Sequence, residues 1–258
     1  MNQLNSRQAE CYDALGKYLP GRAFIFMNHG AYFEDLDLPE LSSDDARYKY
    51  HQHLLAAALK DAPVENASVL EVGCGRGGNC ITMSKYFHAK TVVGLDINPS
   101  NIEFCKRYHT IADSNLTFVL GDALNIELPA ETVDILVNIE SSHCYPDLGR
   151  FFFEAQRILK SGGWFCYADA FPWWDIARPS KLLRDAGFEL ISTRDITKNV
   201  IVSLRQNADL FTSVVQEASA PGVGSEIANS VSYGVNKDKL NQYVSGEHQY
   251  HLWQARKI

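Results

Sequence analysis

The chain lacks any Cys-x-x-Cys pair. Its six cysteines, at 11, 74, 80, 105, 144 and 166, are dispersed. Several fall in stretches that read as buried, so reduced thiols in a cytoplasmic setting are expected rather than a disulfide framework. A basic run is missing too. Against 31 Asp and Glu stand 24 Lys and Arg, for a formal charge of −7, which argues against nucleic acid as the main partner. No unbroken apolar run approaches the ~20 residues of a membrane span. The polar stretch Met1 to Glu10 has no apolar segment of the secretory-leader kind. Linker composition is also absent. With 46% hydrophobic residues among 258 and no Gly/Ser- or Pro-rich divider, one domain around one sizeable core is expected.

What the chain does have is the stretch A-S-V-L-E-V-G-C-G-R-G-G-N, Ala67 to Asn79. Val69, Leu70 and Val72 read as a buried strand running into Gly73, Gly75 and Gly77 at alternate positions, with Gly78 following and a helix beginning near Asn79. Glycine permits positive φ and close approach of the backbone to a ligand, and free N–H groups open the helix. Two cofactors compete for such a loop. Gly73-x-Gly75-x-x-Gly78 satisfies the dinucleotide fingerprint, and Asp96 lies where that fingerprint expects a ribose-binding acid. Glu71, two residues before the first glycine, weighs the other way: a carboxylate there repels a pyrophosphate and attracts the ammonium of a methionine moiety.

Elsewhere, Ser6 to Leu19 reads as an amphipathic helix, and F-I-F-M-N-H-G-A-Y-F (Phe24 to Phe33) as an aromatic segment carrying Asn28, His29 and Tyr32. That segment either lies over a ligand or packs on the sheet. Ser42 to Asp45 opens a helix that runs through Leu59. Its His51 and His53, two apart, face different directions and read as surface or wedge residues. Strands follow at Thr91–Asp96, Leu116–Leu120 (leading to Gly121-Asp122-Ala123), Thr132–Ile139, Trp164–Ala168, Glu189–Asp195 and Tyr250–Ala255. Their alternation with helices implies a parallel sheet with a crevice at the strands' carboxyl ends. Some fifty residues separate the last two strands, a length that suggests a lid. The parts are expected at 1–62 (cap helices), 63–201 (cofactor core), 202–246 (helical lid) and 247–258 (last strand).

Glu71 followed by three alternate glycines resembles the first motif of the class I S-adenosylmethionine-dependent methyltransferases. Asn28 to Tyr32 resembles their N-x-G-Y element, Gly121-Asp122-Ala123 their adenine contact, and Ser161-Gly162-Gly163 their turn before strand five. M-N-H-G-A-Y, E-S-S-H-C-Y-P-D, G-F-E-L and D-I-T-K-N-V are most similar to the phthiotriolone/phenolphthiotriolone dimycocerosate methyltransferases and related small-molecule O-methyltransferases. The resemblance implies a seven-stranded, Rossmann-like α/β sheet, mostly parallel with an antiparallel last strand, with helices on both faces. It places Tyr32, Glu71, Gly73, Gly75, Gly77, Asp96, Ile97, Asp122, Ala123 and Asn138 around S-adenosyl-L-methionine, and transfer of methyl to a hydroxyl oxygen of a small molecule. C- or N-methylation is the alternative, and an NAD-dependent oxidoreductase the more distant one.

An alcohol acceptor must lose its proton as the new bond forms. In the loop after strand four, Glu140-Ser-Ser-His-Cys-Tyr-Pro-Asp147, His143 is the one side chain that titrates near neutrality. It is the candidate base, with a structural role as the competing reading; Glu140 is a second acid–base candidate, and Cys144 a packed thiol. Asn28, His29, Trp173 and Trp174 are expected toward the acceptor, with one tryptophan lining a pocket and the other in the core. Glu140, His143 and Asp169 have the chemistry of metal ligands, but their spacing demands none, and no metal is expected. A homodimer is a further expectation.

Overall fold

Val69, Leu70 and Val72 are buried, as are Ile135 to Ile139. Runs buried on both faces can satisfy their backbone groups only in neighbouring strands, which is the setting of a parallel sheet. The computed structural model describes residues 24–109, 115–207 and 237–258. Within them β1 (Ser68–Val72), β2 (Thr91–Asp96), β3 (Leu116–Leu120), β4 (Val133–Ile139), β5 (Leu159–Pro172), β6 (Phe188–Asp195) and β7 (His248–Lys257) form one sheet in the order β3-β2-β1-β4-β5-β7-β6. The first five strands pair in parallel, while β7 runs antiparallel to both β5 and β6. This is the expected sheet. Its order reverses at β1 and β4, so a crevice opens at their carboxyl ends.

Helices cover both faces. On one lie α2 (Lys49–Leu59), α3 (Gly78–Tyr86), α4 (Pro99–His109), α7 (Thr197–Gln206) and α8 (Lys237–Val244), packing Leu54, Met83, Ile102, Val200 and Tyr243 with Val69, Val92 and Val137. On the other lie α5 (Leu148–Ile158) and α6 (Arg178–Asp185), packing Phe151, Phe152 and Leu183 with Leu70, Leu136, Phe165 and Trp253. The Asp147 side chain caps α5 by accepting from the Arg150 N–H at 2.9 Å.

Three elements differ from expectation. The helix opened by Ser42 is broken into α1 (Ser43–Ala46) and α2, because Tyr48 turns inward and its ring packs 5.2 Å from Phe26. Strand β5 extends well past Trp164–Ala168, since β7 pairs along it from Trp164↔Arg256 to Pro172↔His248. The pairing partner sets its length. Helix α6 starts at Arg178, three residues later than the Asp175 start the pattern suggests, after a turn in which Arg178 N–H bonds the Asp175 carbonyl at 3.0 Å. The Ser6–Leu19 helix and most of the 202–246 lid lie outside the described residues; of the lid, only the end of α7 and α8 with its flanks are described.

Candidate active site

The carboxyl ends of β1, β2, β3 and β4 enclose a cavity lined by Glu71, Gly73, Gly75, Asn79, Asp96, Ile97, Asp122, Ala123, Glu140, Ser141 and Cys144, with Met27 and Asn28 closing it from the N-terminal segment. The glycine loop is shaped by contacts a side chain would break. Gly73 has φ +73°, and a Cβ there would fall 1.9 Å from Ser141 Oγ. Its N–H donates to the Leu95 carbonyl at 2.7 Å. At the start of α3 the Gly78 N–H donates to the Ile25 carbonyl at 3.1 Å. That N–H is therefore not free for a ligand, as the sequence suggested.

Glu71 is almost wholly buried. Its Oε1 accepts from Asn79 Nδ2 at 2.8 Å, and its Oε2 from the Cys80 thiol at 2.9 Å. Burial pushes its carboxyl up to about 7, although those two hydrogen bonds pull the other way. Asn79 Oδ1 has no hydrogen-bond partner among the described residues. A carboxyl group and an orphaned amide oxygen thus face one corner of the cavity, a donor-hungry set that suits an ammonium group. Asp96 accepts from the Gly75 N–H and the Asn98 N–H, each at 2.8 Å, and from Asn101 Nδ2 at 3.4 Å. Burial raises its carboxyl, against the pull of these donors. Asp122 Oδ1 accepts from the Leu124 N–H at 2.9 Å, forming the turn after β3.

Two histidine–carboxylate pairs stand at the end of β4. Glu140 adopts φ +49°, unusual for a residue with a side chain. Its N–H donates to the Ala168 carbonyl at 2.8 Å, and its carboxylate accepts from the His29 N–H at 2.8 Å and from His29 Nδ1 in a short hydrogen bond. The second pair is His143 Nδ1 with Asp169 Oδ1 at 2.7 Å; Asp169 Oδ2 accepts from the His143 N–H at 3.0 Å and the Ser142 hydroxyl at 2.6 Å. Burial alone would lower the His143 imidazole, but the charge of Asp169 and the bond to it outweigh that and hold it well above the usual histidine range. Conversely, His143 keeps the buried Asp169 carboxyl below its ordinary value. Among the described residues no group of three or more His, Cys, Asp or Glu is arranged to hold a metal ion.

The structure therefore brings Asn28, Glu71, Gly73, Gly75, Asp96, Ile97, Asp122, Ala123 and Glu140 to one cavity, and it sets other expected site residues apart. Gly77 caps α3 from φ +80°. Asn138 lies beneath the lining, donating to the Val72 carbonyl at 2.7 Å. Tyr32 does not reach the cavity: Gly30, at φ +65°, turns the chain onto α2 and α7, and the Tyr32 N–H donates to the Asn199 carbonyl at 3.1 Å. Met27 stands at the cavity instead. His143 lies outside the lining with its side chain 36% exposed. Trp173 and Trp174 are 60% and 63% exposed and pack edge-to-face on each other, so the core placement holds for neither, and neither lines the cavity. Both lie at the very end of β5, where the sheet no longer covers them. His51 is no surface residue: it stacks on Phe26 at 5.0 Å and its Nδ1 meets Asn28 Oδ1 at 3.0 Å. Sequence reasoning missed Asn79 and Cys80 as partners of Glu71, and the buried hydroxyls of Tyr243 and Tyr250. Helical spacing from the glycine loop could have suggested the first pair; the tyrosines carried no local signal.

A family model described as "Methyltransferase domain" matches residues 70–167. The chain is 39% identical over 197 residues to a fatty-acid O-methyltransferase of Mycolicibacterium smegmatis, covering 76% of this chain and 70% of that one. It is 32% identical over 237 residues to a phthiotriol/phenolphthiotriol dimycocerosates methyltransferase of Mycobacterium tuberculosis, covering 91% and 86%. In fold it is similar to the cyclopropane synthase MmaA2 of Mycobacterium tuberculosis, with a TM-score of 0.74 over the whole of both chains at 16% identity.

Proposed function

Because the chain belongs to the class I S-adenosylmethionine-dependent methyltransferases, we propose that it methylates a hydroxyl oxygen of an apolar, lipid-like molecule. One observation carries the cofactor part of this reading: Glu71, Asp96 and Asp122, from the ends of three adjacent parallel strands, line a single cavity. Glu71 and the orphaned Asn79 Oδ1 would take the methionine ammonium, Asp96 the ribose hydroxyls, and Asp122 with Ala123 the adenine. The apolar acceptor is supported by the relatives, named for a fatty acid and for phthiotriol/phenolphthiotriol dimycocerosates.

Bound there, S-adenosylmethionine supplies a methyl group already activated by its sulfonium. The chain's own tasks are to hold the acceptor oxygen in line, exclude water and receive a proton. Asp96, tied to the Gly75 N–H, couples the ribose position to the shape of the glycine loop. His143, paired with buried Asp169, fixes the β4 loop against β5.

Calorimetry with S-adenosylmethionine, S-adenosylhomocysteine and NAD tests the cofactor reading; tighter binding of NAD than of either thioether nucleotide would refute it. Transfer of a labelled methyl group to long-chain alcohols tests the acceptor class. Wild-type enzyme that labels only carboxylic acids, or only carbon or nitrogen acceptors, would refute the hydroxyl assignment.

A further inference from the structure

Beside Glu140, and outside the lining of the cofactor cavity, lies a buried cluster drawn from four separate parts of the chain. His29 comes from the N-terminal segment, Tyr243 from α8, Tyr250 from β7 and Glu140 from the end of β4. The rings of His29 and Tyr243 meet edge-on at 5.8 Å, and those of Tyr243 and Tyr250 lie 6.4 Å apart. In a neutral imidazole, a proton on Nδ1 directed at Glu140 leaves a lone pair on Nε2. His29 Nε2 and Tyr243 Oη are buried and have no hydrogen-bond partner among the described residues, while the buried Tyr250 hydroxyl is directed at Glu140. A buried polar atom left unpaired is costly, so two of them beside one carboxylate mark a place where a polar ligand atom belongs. Glu140 itself lines the cofactor cavity, which sets the cluster one side chain away from the cofactor. The other groups facing His29 are Glu140, Tyr243 and, from α2, His51, whose imidazole burial pushes down to about 4.

We infer that His29 is the catalytic base for the acceptor hydroxyl, that Glu140 is its positioning residue, and that the Tyr243 hydroxyl holds the acceptor oxygen. This rests on the methyl-transfer reading above. The acceptor O–H bond breaks, its proton going to His29 Nε2 and its electron pair into the new C–O bond. The pair of the breaking C–S bond stays on sulfur, so the positive charge ends on the imidazolium beside Glu140. His143 is set apart from this task by its place: it lies outside the cavity lining with its side chain 36% exposed. A carboxylate acceptor is disfavoured, since it would meet the Glu140 carboxylate and needs no base.

The test uses the purified full chain, S-adenosylmethionine, and dodecan-1-ol and dodecan-2-ol against dodecanoic acid, together with 15N NMR of the histidines. On the alcohol that wild type methylates, His29→Ala should lose ~10²-fold or more in kcat, with S-adenosylmethionine affinity within about twofold of wild type. NMR at pH 7.5 should show His29 protonated at Nδ1 and bare at Nε2, and Glu140→Gln should shift it toward the opposite tautomer, a change that loss of packing alone would not cause. Full kcat in His29→Ala overturns the base assignment. So does a His29 carrying its proton on Nε2 at pH 7.5, whatever the acceptor proves to be. Wild type that methylates dodecanoic acid and neither alcohol overturns the hydroxyl reading itself, and that failure appears before any variant is made.

Discussion

Lowering the pH from 7.5 to 6 should weaken S-adenosylmethionine binding, and Glu71 is the reason. Its carboxyl is pushed up to about 7 by burial, with Asn79 and Cys80 as its hydrogen-bond partners among the described residues. An ammonium group is attracted by the ionised form alone. About a tenth of Glu71 is ionised at pH 6 and about three quarters at pH 7.5, so, with the partial loss of ligand charge at the higher pH, affinity should change by roughly sixfold, or ~1 kcal/mol. The ligand's own α-amino group, near 7.7–8.0 in model compounds, is mostly cationic at both values. Binding at pH 6.5 should release roughly 0.7 of a proton, readable by calorimetry in two buffers of different ionisation enthalpy. Glu71→Gln should bind weakly with no such slope. The same residue has an opposite effect on the empty protein. Because its folded-state value is raised, the folded chain holds the extra proton between about 4.5 and 7, and stability falls with pH across that window by up to ~3 kcal/mol. Glu71→Gln should therefore melt higher than wild type at pH 8 while binding less. Affinity independent of pH, or a slope that survives Glu71→Gln, would refute the placement of the ammonium.

Asp96→Ala should weaken S-adenosylmethionine by ~1.5–3 kcal/mol in calorimetry, since it removes acceptors for ligand hydroxyls and the anchor of the Gly75 N–H; unchanged affinity would put the ribose elsewhere. The His143–Asp169 pair should stabilise the fold fully below pH ~6.5, and its contribution should fade as pH rises through the elevated folded-state value of His143. Melting curves of wild type and His143→Gln should accordingly converge in the alkaline range, and a constant gap would contradict the pairing. Trp173→Ala and Trp174→Ala, at exposed positions, should each change stability by less than ~0.5 kcal/mol and leave S-adenosylmethionine affinity unchanged; a loss of affinity in either would mean that these rings cover the cavity.

The sheet and much of the cavity lining at its carboxyl edge were legible because their signals are local. A strand buried on both faces has an apolar run, and a loop that must pass under Ser141 has to be glycine at 73. Glu71, Asp96 and Asp122 could be placed because strand ends are countable along the chain. What stayed hidden depends on residues far apart in sequence. The extent of β5 is fixed by β7, and the turn of the N-terminal segment at Gly30 decides that Met27 rather than Tyr32 meets the cavity. The His29–Glu140 pair spans 111 positions and involves a residue at positive φ that no propensity would predict. Between the two histidines the sequence favoured His143, the one already in the loop after β4. The fold ties it to Asp169 and delivers another histidine, from the opposite end of the chain, with an unpartnered nitrogen. Residue type in the right loop was thus a weaker guide to the base than the partner each imidazole acquires. A histidine anchored at Nδ1 by a carboxylate can serve as a base only where its Nε2 lone pair is kept and faces something that needs it. Of the two, His29 alone combines that anchor with a buried hydroxyl, that of Tyr243, left without a partner among the described residues.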